Sequence, residues 1–157
     1  MKKYFWIAWV VSLCLFMGCT APSHPEELVD ARVGEKMYVE KLSVTVTNIT
    51  RPIPNPADTV IDQDIILVAL LVLNEGKHAF SFKMEELYLK NEKGDEVQGY
   101  PQGGPGSLLS TGRYLAMGDR ITGTLSFSIP KGAGGYTLYY KPAKLRGRVY
   151  RLQIPQA

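Results

Sequence analysis

DIILVALLVLN, from Asp64 to Asn74, sets nine apolar residues in a row. At about 3.3 Å per residue such a run spans a full strand of a β-sandwich. Asn74-Glu75-Gly76-Lys77 closes it with residues suited to a turn. A sandwich buries one face of each strand, so alternation of apolar and polar residues is the ordinary pattern. Here Ile65, Leu67, Ala69 and Leu71 are apolar, and so are Ile66, Val68, Leu70 and Val72. The second face therefore requires a cover, either the Gly- and Pro-rich loop from Pro101 to Gly112 or another protein.

The neighbouring segments also have strand patterns. LSVTVTNIT alternates Leu42, Val44 and Val46 against Ser43, Thr45 and Thr47. HAFSF puts Phe80 and Phe82 on one face, and ELYLKN and DEVQGY flank a turn at Glu92-Lys93-Gly94. RITGTLSFSIP carries Ile121, Leu125, Phe127 and Ile129 inward, with Gly123 interrupting the row as a candidate bulge or close approach. GYTLYYK aligns Tyr136, Leu138 and Tyr140, and GRVYRLQI aligns Tyr150, Leu152 and Ile154. Pro52, Pro54 and Pro56 mark a loop. Glu26 to Ala31 is a candidate for a helical turn or two. The sum is an all-β chain: an antiparallel β-sandwich of about seven or eight strands.

The N-terminus carries a different signal. Lys2 and Lys3 precede the apolar stretch YFWIAWVVSLCLFM, which suits a signal-peptide core and is shorter than the roughly 20 residues of a transmembrane helix. Gly18 and Cys19 follow, then the polar TAPSHPEE. The Leu15–Cys19 piece resembles the lipobox of bacterial lipoproteins, with Phe16 where a Leu is usual. The resemblance implies that Cys19 becomes the first mature residue and carries acyl chains, membrane lipid being its partner. Two chains hold firmly where one is marginal. The organisation expected is a signal peptide over 1–18, a flexible tether over 19–32 and one domain over 33–157. The location expected is the cell membrane, on its extracytoplasmic face.

Cys14 and Cys19 are the only cysteines. None remains to cross-link the domain, so its core must hold it.

The strand segments also resemble the small immunoglobulin-like domain of unknown function found in many bacterial lipoproteins, grouped with the secreted immunoprotective antigen superfamily. Gly34 with LSVTVTNI, LVLNEGK, KNEKGDEV and MGDRITGTLSFSIPKG followed by YTLYY carry the likeness in order. The resemblance implies that the fold is an immunoglobulin-like antiparallel β-sandwich and supplies no catalytic motif.

Chemistry-bearing residues are few. His24 and His78 are the only histidines, too few for a Ser-His-Asp or Cys-His site or for a zinc centre. Asp58, Asp62 and Asp64 are spaced closely enough to consider Ca²⁺, although the EF-hand pattern is absent. No metal and no cofactor is expected. From Arg120 onward there are seven Lys and Arg and no acid. Tyr139, Lys141, Lys144, Arg146, Arg148 and Arg151 form a candidate binding surface, with a solvated face balanced by acids elsewhere as the plainer alternative. Without Lys2 and Lys3 the chain has sixteen bases against fifteen acids, and with the export signal this argues against nucleic acid as a partner. The function expected is that of a binding module with a protein or envelope component as partner. A ligand-sensing or adhesive role for the basic, Tyr-rich face is the alternative, and a carboxylate-based hydrolase or enzyme accessory the remote one.

Overall fold

A computed structural model describes residues 26–53, 62–102, 114–133, 135–143 and 147–154. Cys14, Cys19, Asp58, Lys144, Arg146 and most of the 101–112 loop lie outside them. Two five-stranded sheets face each other. The first comprises β1 (Glu27–Asp30), β6 (Leu87–Lys90), β7 (Glu96–Gln98), β11 (Thr137–Tyr140) and β12 (Arg148–Gln153), in the order β1-β12-β11-β6-β7. The second comprises β2 (Lys36–Val39), β3 (Leu42–Thr50), β4 (Gln63–Asn74), β8 (Tyr100–Pro101) and β10 (Arg120–Pro130), in the order β2-β3-β4-β10-β8. A two-stranded ribbon of β5 (Phe80–Ser81) and β9 (Tyr114–Leu115) closes one end. The chain is an all-β sandwich.

The longest ladder joins β10 to β4 without interruption, from Arg120 opposite Leu73 to Pro130 opposite Gln63. Its inner face holds Ile66, Val68, Leu70 and Val72 from β4 and Leu125, Phe127 and Ile129 from β10, all at 1% exposure or less. Leu87, Leu89, Leu138 and Tyr140 meet them from the other sheet. Full burial of one such side chain contributes about 1.5–3 kcal/mol, so this layer stands in for the missing disulfides. Gly123 opposes Leu70 in unbroken register. The irregularity falls instead in β3, between Val46 and Asn48, where the register with β4 shifts.

Two expectations change. The segment at 27–30, assigned to the tether and to a helical turn, is the strand β1. Four residues cannot repay the cost of nucleating a helix, whereas the open edge of β12 offers a ladder. That ladder is parallel, Glu27 opposite Arg148 through Asp30 opposite Arg151. The sandwich is therefore antiparallel except at this edge. Short pieces such as β5, β8 and β9, two residues each, raise the count to twelve strands among the described residues. The β6–β7 hairpin forms as its sequence predicts. Gly94 takes a φ of 94°, and the Asn91 side-chain oxygen accepts the N–H groups of Lys93 and Asp95.

Candidate binding surfaces

The outer face of the first sheet carries Tyr139 and Arg151, paired across β11 and β12. Tyr139 of β11 lies directly opposite Tyr88 of β6. Their rings stack 5.6 Å apart at 11°. Stacked this closely, each ring spends one face on the other, and the pair acts first as a cross-strand brace. Burial, with the nearby Glu96 carboxylate, pushes the Tyr88 phenol above its ordinary pKa.

The bases around this pair are matched by acids. Lys141 Nζ lies 2.5 Å from Glu26 Oε1. Arg148 donates from Nε and Nη2 to Glu27 Oε2, both at 3.1 Å. Arg151 donates to both carboxylate oxygens of Asp30. Those hydrogen bonds hold the Asp30 carboxyl below its usual range and raise Lys141, Arg148 and Arg151. Lys90 pairs with Glu96 across the β6–β7 hairpin at 3.1 Å. The acidless run at the C-terminus thus meets the acidic segment 26–30 in space. Sequence reasoning missed these acids by placing them in a tether. The order acid, acid, apolar, apolar, acid in EELVD has no strand period, so no local signal in the sequence marked them.

The outer face of the second sheet differs in kind. Along β4, Ile65, Leu67, Ala69, Leu71 and Leu73 form a half-buried aliphatic row. Thr45 and Asn48 of β3 flank it on one side, Thr122, Thr124 and Ser126 of β10 on the other. Tyr38 on β2 and Tyr100 on β8, exposed by 43% and 69%, stand at the two rims. Val68 and Leu70 belong to the inner face. The chain leaves β8 beside this row, where Gln102 N–H bonds the Thr124 carbonyl. The rest of the loop expected to cover the row lies outside the described residues.

A cavity of about 80 Å³ lies among Val39, Phe80, Glu86 and Pro142. The Tyr140 hydroxyl is buried without a hydrogen-bond partner, and burial drives its pKa far above the ordinary phenol value. A shallow groove of about 470 Å³ runs along Asp30–Val33 and Arg151–Gln153. Among the described residues no group of three or more His, Cys, Asp or Glu could hold a metal ion. Asp64 accepts the Gly132 N–H at 2.9 Å, and the Asp62 carbonyl accepts that of Lys131 at 2.9 Å. His78 is exposed and contributes its carbonyl to Asn74. No helix among the described residues is long and apolar enough to cross a membrane.

The two packed sheets with their contrasting outer faces define a β-sandwich domain. The chain belongs to the family described as Domain of unknown function (DUF4352), which matches residues 31–148. The yjhA protein from Bacillus subtilis is similar in structure at 22% identity and a TM-score of 0.59, covering 79% of this chain and 98% of that one. The secreted protein MPT63 from Mycobacterium tuberculosis is similar at 11% identity and a TM-score of 0.57, covering 79% and 97%. The proposed lipoprotein ycdA from Bacillus subtilis is similar at 19% identity and a TM-score of 0.55, covering 75% of this chain and 38% of that one. At these identities the likeness is one of fold. No curated protein matches the chain.

Proposed function

We propose that this chain is a bacterial envelope lipoprotein, acylated at Cys19, that holds its sandwich outside the cytoplasm and works by binding a protein or envelope component. The observation that carries the reading is the position of Cys19, after an apolar run with two leading lysines and before a Pro-containing polar stretch. Secreted and lipoprotein chains with the same fold support it. β1 begins at Glu27. The residues from Cys19 to there reach at most about 25–30 Å, which keeps the domain near the bilayer. Binding without turnover is favoured by the scarcity of catalytic side chains, with one histidine and no cysteine after residue 24, and by carboxylates already engaged, Asp30 and Glu27 by arginines and Glu75 by Lys36.

Labelling cells with palmitate tests the anchor. The unmodified chain is expected to take label and fractionate with membranes. Cys19→Ser is expected to lose both. An unlabelled chain that fractionates with internal soluble proteins would overturn the reading.

A further inference from the structure

β1 is attached to the sandwich by charge more than by core. Of its residues, Val29 packs against the hydrophobic cluster, while Leu28 is 52% exposed. Glu26, Glu27 and Asp30 each hold a base, Lys141, Arg148 and Arg151 respectively. All three pairs are at least 38% exposed on both sides. Exposed pairs of this sort contribute little singly and are screened by salt.

What lies beneath β1 is more substantial. β12 forms its other ladder with β11 and keeps Val149, Tyr150 and Leu152 at 7% exposure or less. Its far edge offers a parallel ladder from Arg148 to Arg151. Strand addition gains affinity from main-chain hydrogen bonds and specificity from alternate side chains. Here the specificity is written by three cations, spaced to read acid, acid, apolar, apolar, acid along an extended chain.

We infer that the β12 edge is a receptor for an acidic extended segment of a partner protein, and that β1 is its built-in occupant, displaced when the partner binds. Charge complementarity selects the partner. A segment running parallel to β12 places carboxylates against Lys141, Arg148 and Arg151 and an apolar side chain where Val29 sits. The sandwich core stays closed during the exchange, because it draws on β2 to β12. The inference concerns the edge alone and does not depend on acylation of Cys19.

The test uses the full chain in detergent with Glu26→Gln, Glu27→Gln and Asp30→Asn combined, and a fluorescent peptide of sequence HPEELVDAR, identical to residues 24–32. Hydrogen exchange is expected to show the amides of Glu27 and Ala31, which bond the Gly147 and Arg151 carbonyls, released in the variant while those of β4 and β10 stay protected. The peptide is expected to bind the variant at least about tenfold more tightly than the unmodified chain, where the tethered β1 competes at high effective concentration. Binding should weaken with salt and vanish when Arg148→Ala and Arg151→Ala are added. Retained protection of β1 in the variant, a released edge that takes no peptide, or equal binding of a peptide with lysines in place of its acids would each overturn the inference. So would an unmodified chain that dimerises and becomes monomeric in the variant, since the occupant would then be the β1 of a second copy.

Discussion

The hydroxyl of Tyr150 holds both backbone polar groups of Tyr38. It accepts the Tyr38 N–H at 3.2 Å and donates to the Tyr38 carbonyl at 2.8 Å. Tyr150 lies on β12 of one sheet and Tyr38 on β2, an edge strand of the other. One phenol therefore ties the sheets together and occupies groups that an edge strand would otherwise leave open to another chain. Its ring continues the brace inward, stacked 6.2 Å from Tyr140.

Tyr150→Phe keeps that ring and removes the tie. The Tyr38 groups then lose their partner, at a cost of about 1–3 kcal/mol. Urea denaturation should show a lower midpoint with an unchanged slope. A midpoint equal to that of the unmodified chain would mean that water replaces the hydroxyl at no cost.

Asn74 makes a larger prediction. Its side-chain amide nitrogen donates to the carbonyls of His78 and Leu115, both at 2.8 Å, and its side-chain oxygen accepts the Gly76 N–H at 2.9 Å. Its backbone bonds Gly118 and Asp119. A fully buried side chain thus joins the end of β4 to two turns and to β9. Asn74→Ala strips three partners at once, so a loss of roughly 2–4 kcal/mol is expected, read as a fall in Tm by calorimetry. Asn74→Asp, which cannot donate to two carbonyls when ionised, should fare no better at neutral pH.

What could be read from the chain follows the range of the forces involved. β4, β10 and the β6–β7 hairpin were legible because alternation and turn residues are local properties. Asn74 was legible as a turn residue, but its bond to Leu115 spans 41 positions and leaves no local trace. β1 was not legible. A four-residue strand has no periodicity to speak of, and what fixes it is a set of bases lying 115 to 121 positions away. The same distance hid the candidate surface: Tyr139, Lys141, Arg148 and Arg151 were found as residues, while the carboxylates that neutralise them were not. The two apolar faces of β4 were visible at once, but which face turns inward is set by register with β3 and β10 and not by composition.

That register makes the faces of β4 experimentally distinct. Val68→Lys or Leu70→Lys introduces an unpaired charge into the inner layer, which costs several kcal/mol, and neither variant is expected to fold. Leu67→Lys or Leu71→Lys lies on the half-buried outer row, where a long side chain can bring its ammonium to water. These should fold with a loss of about 1–2 kcal/mol, as judged by circular dichroism and thermal melting. Equal behaviour of the two pairs would contradict the inward assignment of Val68 and Leu70.

Acid should loosen β1 before it unfolds the sandwich. The hydrogen bond from Arg151 lowers the Asp30 pKa beneath its ordinary 3.8. A carboxylate depressed in this way stabilises the folded form above its unfolded pKa, and the contribution is lost as pH falls through the folded value. Lys141 is raised above 10.5 by Glu26, so its share is present below that value and is lost as pH rises through the folded one. The ionic part of the attachment is therefore strongest across the neutral range and weakens toward either extreme. Amide resonances of Leu28 and Val29, followed from pH 6 downward, should shift below about pH 4 while those of Val68 and Leu125 stay in place. A single transition shared by all four would show that β1 and the sandwich unfold as one unit.

Gly99 offers a prediction about packing alone. It is buried between β7 and β8, and a Cβ at this position would sit 2.7 Å from Phe127 Cζ and 2.8 Å from Cε1. Phe127 is itself fully buried on β10, so the ring has little room to retreat. Gly99→Ala should destabilise the sandwich by about 1–3 kcal/mol through overpacking. If the contact is the cause, shrinking the ring should relieve it. Phe127→Leu costs stability by itself through the space it opens, about 1–3 kcal/mol. Combined with Gly99→Ala, the added methyl would occupy part of that space, and the double variant should be more stable than the sum of the two losses predicts. A coupling of at least about 0.5 kcal/mol in denaturation experiments is the expected result for residues in direct contact. Strict additivity would mean that Gly99 is required for its backbone, not for the ring that lies against it.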